Sequence, residues 1–244
     1  MISATLITLN EEKNIERALK SLQDLVDEII VVDSGSKDKT VTIAEKLGAK
    51  VFFRKFDNFS NQKNWAITKA NGEWILSLDA DEQIPQNLAD EIKTAVQKTE
   101  YVGYLIPRRN FILGGEIRHS RWSPDLHIWL WKKASGKWIG DVHEEVTVSG
   151  KVGHLKNPKI NNQEELVSDF IRKNNLYSSL LAKESFKKGI RFSFFNLFKD
   201  PISEFLIRYL YKLGFLDGWR GFVLSYLMAI YKASVWIKIY EIKE

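Results

Sequence analysis

The amino-acid sequence predicts an α/β fold in which a mostly parallel sheet is flanked by helices and followed by a helical C-terminal extension. Short apolar, β-branched runs alternate with helical patterns three times in the first half of the chain. The connections are long enough to hold crossover helices, which successive parallel strands require. Beyond about residue 186 the pattern changes, and aromatic and basic residues crowd together.

The elements follow one another in a regular order. The first strand is predicted over residues 2–9, and Asn10 is a suitable N-cap for the helix whose apolar residues follow at helical spacing. Later strands are predicted at residues 28–33, 50–53 and 73–78, with helices between them that end near Gly48 and Gly72. No basic region or cleavage site accompanies the first apolar run, which therefore indicates a strand and not a signal peptide.

Composition narrows the class of protein. A chain of 244 residues, with 44% hydrophobic and 27% charged residues, is sufficient for one large folded domain or for one domain with an appendage. There is no cysteine, which excludes disulfides, thiolate metal sites and cysteine nucleophiles and agrees with a reducing compartment. The net charge of +5 favours acidic partners, which include phosphates, nucleic acid and anionic lipid, and charge alone does not choose among them.

We divide the chain into a catalytic domain over residues 1–150 and a helical, basic and aromatic extension over residues 151–244. The extension contains a run of 11 uncharged residues, 221–231. That run is shorter than the roughly 20 residues that a membrane span needs. Because lysines and aromatic residues surround it, we expect a helix that lies at an anionic membrane surface. The alternative is a helix packed on the core or in an oligomer interface.

Asp79-Ala80-Asp81 is the central motif. Two carboxylates separated by one residue can converge on a hard divalent cation such as Mg²⁺ or Mn²⁺, which leaves coordination sites for phosphates. Asp33 and Asp79 both follow predicted strands, and ligands bind beyond the carboxyl ends of strands in open parallel sheets. The alternative, a solvated acidic turn, is the usual explanation of an isolated Asp-x-Asp, but it is disfavoured by this order of elements.

Three segments together resemble the nucleotide-binding half of the family 2 glycosyltransferases, which have the Rossmann-like GT-A fold: TLNEEKNI, VVDSGSKDKT and ANGEWILSLDADE. A narrower resemblance, to small bacterial enzymes that add sugars to the lipopolysaccharide core, depends on QKNWAI, RWSPD, VHE and FLDGWRGF. The resemblance implies a metal-dependent enzyme that uses a nucleotide-sugar donor.

The resemblance also implies roles for individual residues. It gives contacts with the donor to Thr8, Asn10, Glu11, Asp33, Gln62, Lys63, Asn64 and Asp79. Within this set, Asp33 would accept a hydrogen bond from the base, usually uracil. Asp81 would be the direct metal ligand, Asp79 would lie by the ribose and metal, and Gln83 matches a family position that sometimes contacts the metal. The alternatives are a first-turn role for Glu11, a turn role for Asp33 and a solvated helix position for Lys63.

Residues 101–145 must supply the acceptor side and the base. Arg121, in the RWSPD stretch, is a cation that would neutralise a diphosphate, unless the stretch is an ordinary surface loop. Inversion at the anomeric carbon needs one carboxylate to remove a proton from the acceptor. The resemblance favours Glu144 as this base and His143 as support for the metal or the diphosphate. Asp141 and Asp125 remain competing bases.

We therefore expect an inverting glycosyltransferase that moves a hexose or similar sugar from a nucleotide donor, UDP by resemblance, to a lipid-linked or core-oligosaccharide acceptor. Its place would be cytoplasmic, peripheral on the inner face of the cytoplasmic membrane, with no nucleic-acid partner; self-association is left open. A nucleotidyltransferase is disfavoured because the N-terminus lacks a glycine-rich basic signature. A non-catalytic nucleotide-sugar-binding or assembly protein at the membrane remains the alternative.

Overall fold

The computed structural model describes residues 1–140, 144–163 and 167–242, apart from the side chains of residues 163 and 169. The chain divides into two compact units. The first unit comprises Met1–Arg109 and Asp125–Asn162, and the second comprises Asn110–Pro124 and Gln163–Glu244. The expected boundary at residue 150 thus differs from this division, because two short strands after it pair within the first unit and residues 110–124 belong to the second.

The described residues form strands and helices that we number in chain order. The strands are β1 (Ile2–Thr8), β2 (Glu28–Asp33), β3 (Lys50–Phe53), β4 (Trp74–Ser77), β5 (Glu82–Gln83), β6 (Gly103–Ile112), β7 (Gly115–Ile117), β8 (Leu126–Lys132), β9 (Gly136–Ile139), β10 (Glu145–Val148), β11 (Val152–His154) and β12 (Lys159–Gln163). The helices are α1 (Ile15–Lys20), α2 (Thr40–Lys46), α3 (Phe59–Lys69), α4 (Gln86–Ala95), α5 (Val167–Lys187), α6 (Phe194–Leu206) and α7 (Gly218–Glu241).

The parallel core of the sheet confirms the order predicted from the sequence. The strands lie in the order β3-β2-β1-β4, and all three pairings among them are parallel. Thr8 is opposite Asp33 in the β1–β2 register, so the carboxyl ends of the two strands lie side by side. Beyond β4 the sheet becomes antiparallel through β8 and β6, while β9 and β10 form a separate hairpin.

The strands of this core are buried on both faces, as their apolar sequences predict. All six residues of β2 are buried, and only Ile7 of β1 is partly exposed. Glu28, the first residue of β2, is a buried acid that accepts hydrogen bonds from the Ser3 hydroxyl at 2.6 Å and from the Lys50 amine at 2.7 Å. Burial opposes ionisation of Glu28, but these bonds and those from Asn71 outweigh it and lower its pKa to about 2.

The first helix begins later than expected. Asn10 is not its N-cap, because α1 starts at Ile15 and Asn14 occupies the cap position. Asn10 instead has a φ of 57°, a left-handed conformation that asparagine tolerates better than most residues. Its side-chain oxygen accepts the Lys37 N–H at 2.9 Å, so the Asn10 side chain is hydrogen-bonded to the loop after β2.

The second unit contains α5, α6 and α7. One face of α7 packs into two apolar clusters, one that includes Phe170 and Leu224 and one that includes Ala182, Tyr231 and Val235. The prediction that this region is too short to cross a membrane used only the 11-residue uncharged run, whereas α7 itself has 24 residues. By length and composition, the helical segment Gly214–Glu241 of the described chain is sufficient to span a membrane, so length does not exclude a span.

The FLDGWRGF segment holds the 110–124 segment within the second unit. Asp217 accepts the backbone N–H groups of Arg118 and His119 at 3.1 and 2.9 Å. Arg220 donates to the carbonyl oxygen of Leu113 at 2.9 Å. Gly221 packs so closely that a Cβ placed there would lie 1.8 Å from the carbonyl oxygen of Gly214. The segment therefore has a structural reason for its acidic, basic and glycine positions.

Replacing Glu28 with Gln is expected to lower the unfolding free energy at neutral pH by about 2 kcal/mol, because the ionised carboxylate is stabilised in the folded protein. The pKa of Glu28 is lowered from 4.5 to about 2, so this contribution is full above pH 4.5 and is lost as the pH falls through about 2. Urea unfolding of wild type and Glu28→Gln at several pH values measures it.

The matched control is Glu16→Gln, which removes an exposed carboxylate that pairs with Lys20 at 2.7 Å. Exposed pairs contribute little, so this variant should unfold like wild type. Equal losses in the two variants, or a difference for Glu28→Gln that does not shrink in acid, would contradict the assignment.

Candidate active site

Asp33 organises the loop that follows β2. One of its carboxylate oxygens accepts the backbone N–H groups of Gly35 and Ser36 at 2.7 and 2.8 Å. The other accepts the hydroxyl groups of Ser36 and Thr8 at 2.5 and 3.1 Å. A carboxylate offers about four acceptor positions. All four have protein donors here, which agrees with the turn role that was the alternative for Asp33.

The end of β1 contacts the same loop. The Asn10 N–H donates to the Ser36 hydroxyl at 2.8 Å. The Glu11 N–H donates to the Thr40 hydroxyl at 2.7 Å, and its carboxylate accepts the side-chain amide of Asn14 at 2.9 Å. The structure thus brings Thr8, Asn10, Glu11 and Asp33 together at one edge of the sheet. The bond to Asn14 also agrees with the first-turn role for Glu11.

Two predicted donor residues on α3 use their amides to bind the protein. Gln62 is fully buried and donates to the Ser34 hydroxyl and the Arg54 carbonyl oxygen, both at 3.0 Å. Asn64 exchanges two hydrogen bonds with the backbone of Trp138, at 2.9 and 3.0 Å. These two side chains fix α3 against its neighbours, and their contact with a nucleotide sugar remains a prediction.

Lys63, between them on α3, joins two of the predicted site carboxylates. Its amine lies 3.2 Å from Asp79 and 3.0 Å from Glu144, and 4.3 Å from the centre of the Trp138 ring. The alternative that Lys63 is a solvated helix residue is wrong, because its side chain is 7% exposed. A buried amine with two carboxylate partners fixes the distance between the groups that it bridges.

The charges in this cluster support one another. Burial opposes the charged form of Lys63, but Asp79 and Glu144 outweigh it and raise its pKa above the ordinary value. Burial likewise opposes ionisation of Asp79, but the positive charges of Lys63, Lys159 and Arg108 lower its pKa to about 2. Asp79 is therefore an anion, and Lys63 a cation, at neutral pH.

A second charged cluster lies directly after the acidic motif. The fully buried carboxylate of Glu82 contacts the Lys159 amine at 2.5 Å and the Arg108 guanidinium at 3.0 Å. It also accepts the Asp79 backbone N–H at 2.9 Å. The Lys159 amine lies 3.1 Å from the centre of the Trp129 ring. Burial lowers the pKa of Lys159 to about 8, against the opposing charge of Glu82.

Arg108 extends this cluster to Asp125. The guanidinium contacts the Asp125 carboxylate at 2.7 Å, and the other Asp125 oxygen lies 3.0 Å from the His127 ring. The pKa of Arg108 is raised because Glu82 and Asp125 together outweigh the cost of burial. Both carboxylate oxygens of Asp125, one of the competing bases, thus contact protein side chains. Arg108 forms its ion pairs within the first unit, with Glu82 and Asp125.

The carboxylates at this edge fit a hard divalent cation. Asp79 is ionised and its side chain is 34% exposed, and Asp81 follows two residues later in the turn after β4. Mg²⁺ and similar ions are commonly held by one or two carboxylates together with phosphates. Among the described residues no three acidic or histidine side chains form a metal-binding group. Asp141 and His143 lie outside the described residues, whereas Glu144 is described.

Arg121 has a partner in the second unit. Its guanidinium contacts the buried Glu204 carboxylate at 3.2 Å, and Glu204 also contacts Arg208 at 2.5 Å. Arg208 in turn donates to the Ser120 carbonyl oxygen at 2.7 Å. The predicted contact of Arg121 with a diphosphate remains a prediction, and what the described residues show is an ion pair that anchors the loop.

Sequence reasoning missed Glu82 and Lys159. Glu82 follows the acidic motif directly, which was a usable signal. Lys159 lies 77 positions further along the chain, in a stretch that we assigned to the extension. Its role depends on the antiparallel pairing of β12 with β5, and no local pattern reveals that pairing.

The chain is similar to known proteins over most of its length. The sequence model described as "Glycosyl transferase family 2" matches residues 3–197. The chain belongs to glycosyl transferase family 2. It is 32% identical to an "uncharacterized glycosyltransferase" of Rickettsia typhi, over 93% of this chain and 82% of that protein. It is 27% identical to the "lipopolysaccharide core biosynthesis glycosyltransferase LpsC" of Rhizobium meliloti, over 98% of this chain and 92% of that protein.

Solved structures confirm the GT-A fold of this family 2 glycosyltransferase. S. aureus TarS in complex with UDP-GlcNAc matches with a TM-score of 0.51 and 20% identity, over 74% of this chain and 66% of that chain. Glucosyl-3-phosphoglycerate synthase from Mycobacterium tuberculosis, in complex with Mn²⁺, UDP and glucosyl-3-phosphoglycerate, matches with a TM-score of 0.50 and 17% identity, over 79% and 81%. The predicted family and fold are thus confirmed.

Proposed function

We propose that this glycosyltransferase is inverting and moves a hexose from a UDP-sugar to a lipid-linked or lipopolysaccharide-core saccharide. The single observation that carries the chemical part is the Lys63 bridge, which holds Asp79 and Glu144 on one amine at 3.2 and 3.0 Å. The carboxylate that binds the metal and the carboxylate that acts as the base must both lie close to the anomeric carbon of the donor. The Lys63 amine keeps Asp79 and Glu144 near one another despite their like charges.

In the proposed reaction Glu144 acts as the base. Its carboxylate takes the proton of the acceptor hydroxyl, whose oxygen forms a bond to the anomeric carbon. The bond from that carbon to the diphosphate breaks, and the diphosphate leaves with the electron pair. Because the attack comes from the opposite face, the configuration inverts. Glu144 is partly accessible, with its side chain 17% exposed, which suits a group that must reach an acceptor.

Asp79 and Asp81 would hold Mg²⁺ or Mn²⁺, with His143 a further proposed ligand. When bound, the cation offsets the charge that develops on the leaving diphosphate. The nucleoside would lie against the loop that Asp33 organises, since Thr8, Asn10 and Glu11 meet there at the carboxyl edge of the sheet. The complexes of TarS with UDP-GlcNAc and of the synthase with Mn²⁺ and UDP support this choice of donor and metal.

The surface of the second unit supports an acceptor at a membrane and an enzyme that is peripheral on its cytoplasmic side. Phe194 and Phe195 are 70% and 71% exposed, and Phe198 is exposed as well. Residues 187–199 contain exposed lysines and an arginine but no acidic residue. Aromatic rings favour the headgroup region and basic side chains favour anionic lipid. The similarity to LpsC supports a core-saccharide acceptor.

The packing of α7 favours a surface position over a span. The Lys238 amine donates to the Asn175 carbonyl oxygen at 2.6 Å and to the Ser178 and Ser179 hydroxyls at 2.7 and 2.8 Å. The Trp236 indole N–H donates to Asp200 at 2.9 Å. A helix that crossed the bilayer alone would lose these bonds, and each unpaired polar group in hydrocarbon is costly.

Asp81→Ala is expected to abolish metal-dependent turnover, because one of the two proposed carboxylate ligands is lost, while the fold remains intact. The measurement is Mn²⁺-dependent hydrolysis or transfer with a panel of UDP-hexoses, beside circular dichroism. Asp24→Ala, which removes an exposed acid of the same unit, is the control and should behave like wild type. Near wild-type turnover by Asp81→Ala, or no effect of chelator on wild type, would show that the metal assignment is wrong.

Glu144→Gln keeps the shape of the side chain but removes the base, so turnover should fall by about 10²–10⁴-fold while UDP binding survives. Single-turnover kinetics and calorimetry with UDP measure the two properties separately. Asp141→Asn is the matched comparison. If that variant shows the selective loss and Glu144→Gln does not, Asp141 is the base, and if neither does, the base is another group, such as Asp125.

The full-length protein is expected to bind anionic vesicles, and high salt should weaken this binding without abolishing it. Each Lys or Arg near an anionic surface contributes about 1 kcal/mol that salt screens, whereas insertion of apolar rings is not screened. Co-sedimentation across a salt series measures both parts. The triple change Phe194→Ser, Phe195→Ser and Phe198→Ser should remove the salt-resistant part.

The control for the triple change is Phe53→Ser, which removes an equally exposed ring, 70% exposed, from the first unit. It should leave vesicle binding unchanged. No vesicle binding by the wild type would refute the membrane assignment and leave the exposed face as a protein interface. Retention that only detergent reverses would instead indicate that α7 spans the bilayer.

A further inference from the structure

We propose that Glu82 and Lys159 are positioning residues for the Asp79-Ala80-Asp81 turn: the Glu82 carboxylate holds the Asp79 backbone, and Lys159 holds that carboxylate in place. This inference rests on the proposed function, because it concerns the turn to which metal binding is assigned. It adds a part of the chain, strand β12, that no sequence motif connects with the site.

Glu82 closes the turn from both directions. Its backbone N–H donates to the Asp79 carbonyl oxygen at 3.0 Å, and its carboxylate accepts the Asp79 N–H at 2.9 Å. The four residues 79–82 thus form a turn whose first residue is bound at both its donor and its acceptor. A change at the Glu82 side chain would reach the Asp79 backbone directly.

The Glu82 carboxylate is itself fixed by buried cations. The side chains of Glu82 and Lys159 both have 0% exposure, and their charged groups lie 2.5 Å apart. Arg108 contacts the other carboxylate oxygen at 3.0 Å and is held in turn by Asp125. A buried carboxylate with three donors on its two oxygens is in no position to coordinate a cation. Its role is therefore to orient its neighbours.

Strand β12 holds the other end of the motif. The Asn162 N–H donates to the Asp81 carbonyl oxygen at 3.0 Å. Asn161 is opposite Glu82 in the antiparallel β5–β12 register. The backbone of Asp81 and the side chain of Glu82 are therefore both bound to β12, so that this strand sets the position of the turn that carries the two proposed carboxylate ligands.

The like charges of this region explain why such a device is needed. Asp79, Asp81 and Glu82 fall within four residues, and carboxylates at this spacing repel one another. Such a turn would spread unless its backbone were tied. The Glu82 carboxylate, directed inward against Lys159 and Arg108, ties the backbone of this turn.

Two double variants test the proposal. Glu82→Leu with Lys159→Met and Glu82→Gln with Lys159→Met both delete the buried pair, and replacing both charges together is often neutral for stability. Arg108 keeps Asp125 in each variant. The two variants differ in one respect, since only glutamine offers an oxygen to the Asp79 N–H. They are therefore matched for charge and differ at the proposed contact.

Ligand-free hydrogen exchange of the segment 78–82, measured by mass spectrometry, is the first readout. The leucine variant should exchange about tenfold faster than wild type, as expected for a lost buried hydrogen bond, and the glutamine variant should stay near wild type. The second readout is the affinity for UDP with and without Mn²⁺. The leucine variant should lose most of the gain due to Mn²⁺, with affinity for UDP alone equal in all three proteins.

Equal exchange and equal Mn²⁺ response in the two variants would overturn the positioning role. If exchange differs as expected but wild-type UDP binding does not respond to Mn²⁺, the positioning role stands and the proposed metal-assisted function fails. If either double variant does not fold, Glu82→Asp applies the same test, because it keeps the charge and shortens the reach to the Asp79 N–H. Unchanged exchange in that variant would also overturn the proposal.

Discussion

The need to hold carboxylates of like charge close together, at the edge of a buried sheet, governs the first unit. Asp79 and Glu144 are bridged by Lys63, and Glu82 lies against Lys159 and Arg108. Charges that are removed from water must be paired and hydrogen-bonded, since an unpaired one would cost several kcal/mol. The cationic side chains of this region, Lys63, Arg108 and Lys159, are therefore paired with carboxylates of the protein itself.

This constraint explains why the site draws on distant parts of the chain. The parallel core brings Asp33 and Asp79 to one edge by local crossovers, but its strands carry no cation at that position. Lys63 comes from α3, Arg108 from the antiparallel β6, and Lys159 from β12. The antiparallel half of the sheet thus completes the electrostatics of the parallel half, so that neither half alone would hold the acidic turn in place.

The sequence could predict the features that depend on local patterns, and it could not predict those that depend on contacts between distant parts of the chain. Strands β1 to β4 and the position of Asp79 follow from apolar runs and helical spacing, which are local properties. The cap at Asn10 was predicted wrongly, because a left-handed conformation there depends on a bond to Lys37 in another loop. The burial of Lys63 and the place of Lys159 depend on pairing partners far away in sequence, which hydrophobic periodicity does not encode.

In the second unit, the residues that form polar bonds between segments are different from the aromatic residues that are exposed. Arg208, Asp217 and Arg220 are used to hold the 110–124 segment, and Lys238 and Trp236 tie α7 to α5 and α6. The polar groups of these residues are hydrogen-bonded within the unit, whereas the large apolar rings at the start of α6 are exposed. Leaving large apolar rings in water is unfavourable. In the proposed function, a bilayer surface would cover these rings without changing any contact that the helices already make.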